Sequence, residues 1–496
     1  MLTPHMRFAS RFSAVLAFAL MPSEPLTAQS LRVTVRASEA SNFLYQLDCV
    51  SEAIAPCGRT DFSALWEAEL LRSKADSNAL AEWRRLRARY QRYVAIDSQG
   101  TPRGLDLGEG IRIAGFQSES VDAFLLRLDL LVLPEDRARW SRAARHFWPM
   151  FDRWWQREAA SGLQRFADST RALLERDAIR RQLGDFAAFY HAELPANDSV
   201  TMTLIVRPNL VRASLSGQQI GNYSVVEFLP GESPTRRLSV VLHELAHFIF
   251  RQAPEYDGLR SRFVAVGGKG AMAAYNLLNE GLATIFGNGM IERSMRSPES
   301  WQRYRSTPRS FYNNPSIDTI AKGLLSWMDS VVTRRGTLYD SAWVPEYVAR
   351  VSALLGKDID SPRLQLGESF VFVDDALGAS RRIRDAARST LGIASLYGSS
   401  APMRSFSPAM IARPPGLAGI MVIAAPGVSV LARHKLIDAR SAAAIGSAAR
   451  AGSVLFVVQQ ASGAPLYLIV ARDVVGAERE LKRLAALPTV QPGIVR

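Results

Sequence analysis

His243-Glu244-Leu245-Ala246-His247 places two imidazoles four residues apart with a carboxylate beside the first. On a helix, positions four apart share one face about one turn from each other, so both rings can reach a single tetrahedral zinc ion. Glu244 is offset around the helix. From there it reaches a zinc-bound water rather than the metal, and can take the water's proton and pass it to a leaving group. The chain has only six histidines, so an accidental match of this form is expected in roughly fewer than one in a hundred chains of such composition.

The chemistry needs a helix that holds both rings still. Ser233-Pro234 has the form of an N-cap followed by proline at the first helical position. Leu238, Val241, Leu242, Leu245 and Ile249 then recur at helical spacing, which predicts a mostly buried helix carrying the motif. Two histidines leave zinc one protein ligand short. A third histidine or aspartate closing H-E-x-x-H-x-x-G-x-x-H/D is disfavoured, because Phe250 occupies the glycine position. Downstream, the apolar run Leu277–Thr284 is interrupted by Glu280, 33 positions after His247. A carboxylate in such a run needs a partner, and a zinc ion is an adequate one, so Glu280 is the expected third ligand.

At His243, Glu244, His247, Asn279 and Glu280 the sequence resembles the gluzincins, thermolysin-like and aminopeptidase-like zinc metallopeptidases whose second helix supplies a glutamate within N-E-x-x-A/S. The resemblance covers about residues 200–350. It implies an α+β fold: a mainly helical zincin-like unit with a small antiparallel sheet, zinc as cofactor, and a peptide or protein substrate. Thermolysin-like members carry an aspartate four residues after the glutamate ligand to orient a histidine. Here that position is Thr284, a weaker partner, so another group is expected to hold His243. Aminopeptidase-like members carry G-A-M-E-N before the zinc helix. This chain has only Gly270-Ala271-Met272-Ala273-Ala274, after it and without the acid, so aminopeptidase specificity is not supported.

In the same family a strand just upstream of the zinc helix borders the cleft. Val200–Arg207 and Tyr223–Leu229 read as strands separated by a turn-rich Ser214–Asn222, and Tyr223–Phe228 is the candidate for that border. An oxyanion donor is expected downstream of Glu280. Tyr304, Tyr312, Tyr339 and His434 are available, and Tyr312, in a loop-like segment before the helical Ile317–Val332, is the choice.

The amino terminus has the layout of a secretory signal peptide: Arg7 and Arg11, the apolar Ser13–Met21, then Leu26-Thr27-Ala28 before Gln29. Cleavage is expected after Ala28, giving a periplasmic or secreted chain in which Cys49 and Cys57 form a disulfide. Residues 29–195, with helical patterns at Ala79–Tyr93, Val121–Leu131 and Ser141–Trp148, read as a helical region, and 196–404 as the catalytic region. Residues 405–496 read as a small α/β region, with strands Ile420–Ala424, Val454–Gln459 and Leu466–Val470 and helices Ser429–Ala451 and Val474–Leu487.

The net charge is +13, but the arginines are scattered rather than gathered into a basic run, so no nucleic-acid partner is expected. Gly416–Ala432 is broken by Pro426-Gly427, which argues against stable membrane insertion. Gly267-Gly268-Lys269-Gly270 lacks the spacing and hydroxyl of a phosphate loop, and no Gly-x-Ser-x-Gly elbow for a serine hydrolase occurs. The expectation is an exported zinc peptidase in which His243, His247 and Glu280 bind metal and Glu244 is the base. Its rival is a noncatalytic envelope binding or scaffold protein on the same fold.

Overall fold

A computed structural model describes residues 31–495 apart from 52, 54–60, 70, 72, 91–94, 97–101, 104–106, 193–198, 209–216, 255–257, 394, 412–415 and 460–463. The expected signal peptide therefore lies outside the described residues. The chain is mostly helical with small mixed sheets, an α+β architecture.

Strand β1 is Arg32–Arg36, β2 and β3 are the short pair Ala95–Ile96 and Pro102–Arg103, and β4, β5 and β6 are Ser199–Val206, Gly217–Ile220 and Tyr223–Phe228. The first sheet has the order β1-β4-β6-β5. Its β1–β4 and β4–β6 pairs are parallel, and only β5–β6 is antiparallel. The sheet is thus mixed, not antiparallel as expected. Helices return the chain between β1 and β4, whereas β6 runs parallel to β4 because the chain first passes through β5, which is antiparallel to β6.

Gly217–Ile220 lies inside the segment read as turn-rich. It folds back on β6 through the two residues Gly221-Asn222, with Gly221 at φ 53°. A Gly-Asn pair between two short runs is itself a hairpin signal. The hairpin moves β6 to the interior of the sheet, so β5, not Tyr223–Phe228, is the edge strand beside the site.

One apolar core runs from Val35 to Ile359, with Trp66, Trp83 and Trp140 fully buried beside Leu245, Phe286 and Tyr347. It crosses the expected boundary at 195/196 without a break, and β1 contributes to the first sheet. The amino-terminal helices are therefore part of the unit that carries the motif. Helices occur at the expected places, as Lys74–Tyr90, beyond which the expected residues 91–93 lie outside the described ones, Val121–Leu128, and Pro134–Trp154, which contains Ser141–Trp148.

The carboxyl-terminal region forms a six-stranded sheet of β7 Glu368–Asp374, β8 Ser395–Ala401, β9 Ala418–Ala424, β10 Val454–Gln459, β11 Pro465–Ala471 and β12 Gly493–Ile494, in the order β12-β10-β11-β9-β7-β8. Alternate strand residues enter two separate cores. Val371, Ile420 and Ile469 face one pair of helices; Phe372, Met421 and Leu468 face the other. Because β7 pairs with both β8 and β9 in this sheet, the boundary lies near residue 366 and the expected cut at 404/405 would split it. The composition shift at 405 missed this because β7 and the helix after it, Ser380–Leu391, still carry many charged residues.

The expected helix Ser429–Ala451 is two helices, Gly427–Arg433 and Ala439–Ala451. Lys435 turns into the left-handed region at φ 58°, and Asp438 caps the second helix through the Ser441 amide. Among the described residues no helix is long and apolar enough to cross a membrane.

Candidate metal centre

The motif lies on the helix Pro234–Arg251, which begins, as the sequence predicts, with Ser233 extended at the cap and Pro234 at the first position. The Ser233 hydroxyl makes no capping bond. From Leu238 to Phe250 every residue but Val240 is buried, so packing rather than capping fixes the helix. Glu280 is on the next long helix, Gly268–Ala283. That helix runs on into an i→i+5 coil over Thr284–Ile291, where only Asn288 escapes burial. The coil lies flush on the motif helix at Gly287, where a Cβ would fall 2.5 Å from the His243 amide nitrogen and 2.7 Å from the Ser239 carbonyl oxygen. Any larger side chain there would push the two elements apart.

Three ligand side chains converge. The two Nε2 atoms are 3.1 Å apart, His243 Nε2 is 3.4 Å from Glu280 Oε2, and His247 Nε2 is 3.6 Å from Glu280 Oε1. Zinc bonds of about 2.0–2.2 Å in a tetrahedron separate neighbouring ligand atoms by about 3.3 Å. The observed spacings bracket that value.

The protonation pattern also calls for a cation. His247 Nδ1 faces Asn279 Oδ1 at 2.9 Å and His243 Nδ1 faces Asn288 Oδ1 at 3.0 Å. Each carboxamide oxygen takes a ring N–H, so in the neutral tautomer both Nε2 lone pairs point at each other and at a carboxylate. Oε2 of Glu280 is buried and has no ordinary hydrogen-bond partner. These three side chains are the group among the described residues that could hold a metal ion. They fit zinc in number, type and spacing.

Asn288 is the orienting group that the sequence left unassigned when Thr284 stood where an aspartate is usual. The Thr284 hydroxyl is buried and bonds nothing among the described residues. On a regular helix a residue eight beyond Glu280 lies roughly 80° around from it. The wider i→i+5 coil turns less per residue and swings Asn288 back toward the Glu280 side. Gly287-Asn288-Gly289 flags an unusual backbone, but one sequence gives no sign of which way the asparagine points.

Burial by itself would raise the Glu280 carboxyl, yet the histidines beside it hold it well below the usual carboxylate range. Burial would likewise lower His247, but the Glu280 carboxylate overrides it and pushes the imidazole up to about 9. Two consequences follow for the metal-free chain. Because the folded value lies above the ordinary 6.5, the pair stabilises the fold fully below pH 6.5 and loses that contribution as pH rises through about 9. A metal ion taken up here must also displace this proton. Its affinity is therefore expected to climb roughly tenfold per pH unit from neutrality to about 9, with about one proton released per ion. Chelator competition across that range checks it; an affinity that stays flat between pH 7 and 8.5 would rule out the Glu280–His247 coupling.

Glu244 is buried, and burial raises its carboxyl above the ordinary value despite the nearby histidines. Its carboxylate lies under the edge strand: a Cβ at Gly217 would overlap Oε1 and sit 2.6 Å from the carboxyl carbon. Glycine is what lets β5 pass this close.

Tyr312 is brought into the site. Its ring stacks on His243 with centroids 5.7 Å apart and planes at 20°, and its hydroxyl feels the nearby Glu280 carboxylate. Burial, with Glu280 adding to it, raises the phenol, so it stays protonated and able to donate. The other oxyanion candidates are engaged elsewhere. Tyr304 stacks on Phe311, Tyr339 packs on His191, and His434 meets Phe406 in the carboxyl-terminal region. Cys49 is buried and disulfide-bonded. Cys57, the only other cysteine in the sequence, lies outside the described residues.

Comparison with protein-family models, with curated proteins and with solved structures gives no match to this chain.

Proposed function

We propose that this chain is an exported, gluzincin-type zinc peptidase with a zincin-like fold around the motif helix. The observation that carries the reading is the convergence of His243, His247 and Glu280 on one point, with the buried Glu244 beside them. When bound, zinc supplies a Lewis acid and a water acidified toward neutrality.

The chain's own residues supply the rest. Glu244 accepts a proton at its carboxylate and returns it to the departing amine. Its raised affinity for protons brings it nearer the operating pH than a free carboxylate would be. Asn279 and Asn288 fix both imidazoles with Nε2 inward. Tyr312, stacked on His243 with its amide held by Asp318, offers a hydroxyl to the developing oxyanion. Among the described residues β5 pairs only with β6, which leaves it an edge against which an extended peptide can align.

The test is a peptide-library digest by the purified zinc-loaded chain, with and without chelator. Chelator-sensitive cleavage is expected, and the product termini separate endo- from exo-action. One feature favours the rival reading: both histidines are held by neutral carboxamides where a carboxylate would make a ring more basic. Stoichiometric zinc with no cleavage of any library member would replace the peptidase by a zinc-containing binding protein.

Export rests on the layout of residues 1–28 and agrees with the disulfide at Cys49. The mature chain is expected to begin at Gln29 by amino-terminal sequencing from the native host; an intact Met1 would refute export by this segment.

A further inference from the structure

A cleft of about 590 Å³ opens on the opposite side of His243 from the metal ligands. Its wall includes Asn288, whose Oδ1 faces His243 Nδ1, while Nε2 on the other edge of the same ring faces Glu280. The cleft is polar. Arg236, Arg237 and Arg296 line it with the carboxylates Glu232 and Glu292. Both acids are already used, Glu232 by Arg237 at 2.7 Å and Glu292 by Arg296 at 2.6 Å. Arg236 has no ion-pair partner among the described residues, which leaves the cleft one positive charge in excess.

Three further observations favour an anion. The motif helix opens here at its amino-terminal end with no side-chain cap, while the helix Pro298–Ser306, which begins on the same wall, is capped by Ser297. Ser239 is only 5% exposed, lines the cleft, and has no side-chain hydrogen bond among the described residues. Asn288 uses its oxygen on His243 and leaves Nδ2 without a partner there. Donors thus outnumber acceptors around a space large enough for a small molecule.

We propose that this cleft binds a small oxyanion, and that occupancy is felt at the metal centre through Asn288. An anion accepting from Nδ2 fixes the carboxamide with Oδ1 toward His243. That pins the ring with Nε2 inward and tightens metal binding. By linkage, zinc tightens the anion equally. The coupling rests on the metal reading above; anion binding itself does not.

The test is calorimetric titration of the full mature chain, metal-free and zinc-loaded, with inorganic phosphate. Phosphate is expected to bind the metal-free chain. Arg236→Glu should weaken it at least tenfold, and Arg236→Lys should largely restore it. Saturating phosphate should tighten zinc several-fold in the parent but not in Arg236→Glu, a difference that cancels the direct complexation of zinc by phosphate. Competition by Ala-Ala but not by its amide would identify a peptide carboxylate as the source of the anion; competition by neither leaves a free phosphate-like ion. Phosphate binding that Arg236→Glu does not change, or no binding at all, overturns the site. Binding without any zinc shift overturns the coupling. Because the first readout needs no metal and no turnover, it stands or falls separately from the peptidase reading.

Discussion

Glu244→Gln is expected to bind zinc as the parent does and to lose roughly 10²–10⁴-fold or more in peptide turnover, the range associated with a positioned general base. Glutamine is nearly isosteric, so it fits under Gly217 without disturbing β5. It cannot accept a proton from water. The same burial that raises the Glu244 carboxyl makes the site a tolerable place for a neutral amide, so the fold should not suffer. Zinc content by elemental analysis and kcat/KM on a cleaved peptide, measured on one preparation, decide it. Turnover equal to that of the parent would remove Glu244 from the mechanism, whereas loss of zinc along with turnover would make its role structural.

The second large effect is on the metal itself. Glu280→Ala should lower zinc affinity by orders of magnitude, because among the described residues it removes one of the three side chains placed to hold the ion, and the only anionic one of those three. His243→Ala should do the same and, in addition, leave Asn288 without its ring partner. The Glu280 side chain is 38% exposed and stands at the edge of the core, so its removal should leave the fold intact. A circular dichroism melt of the metal-free variant separates a lost ligand from a lost fold. If Glu280→Ala holds zinc as tightly as the parent, the third ligand is another residue and the convergence seen here has a different purpose.

Much of this centre is local, and local features are legible in a sequence. The four-residue spacing of His243 and His247 sets both rings on one helical face wherever that helix goes. Ser233-Pro234 and the apolar stripe mark its beginning and its buried side. Glu280 stood out because a charge inside an apolar helical run needs a reason. Tyr312 was one of four candidates. It reached the site because the turn before Pro315–Thr333 folds back on the motif helix, with Asp318 holding the Phe311 and Tyr312 amides.

The rest depended on contacts between segments far apart in the chain. Whether β6 or β5 lies at the edge depends on a hairpin only two residues long, and strand order is a property of pairing rather than composition. The boundary near 366 follows from β7 pairing with β9 on one side and β8 on the other, although the charged helix after β7 resembles the preceding helices in composition. The amino-terminal helices merge with the motif unit because β1 pairs with β4, whose sequence lies more than 160 residues away. Asn288 could not be assigned by counting, since counting presumes 3.6 residues per turn and the coil that carries it has a different period. The sequence by itself determined which side chains could bind a metal and move a proton, because those depend on residue type and on spacing within one helix. Only the tertiary structure decided which neighbours hold the ligands, which strand lies over the base and which cleft lies behind His243, because each is set by packing between elements that local sequence does not encode.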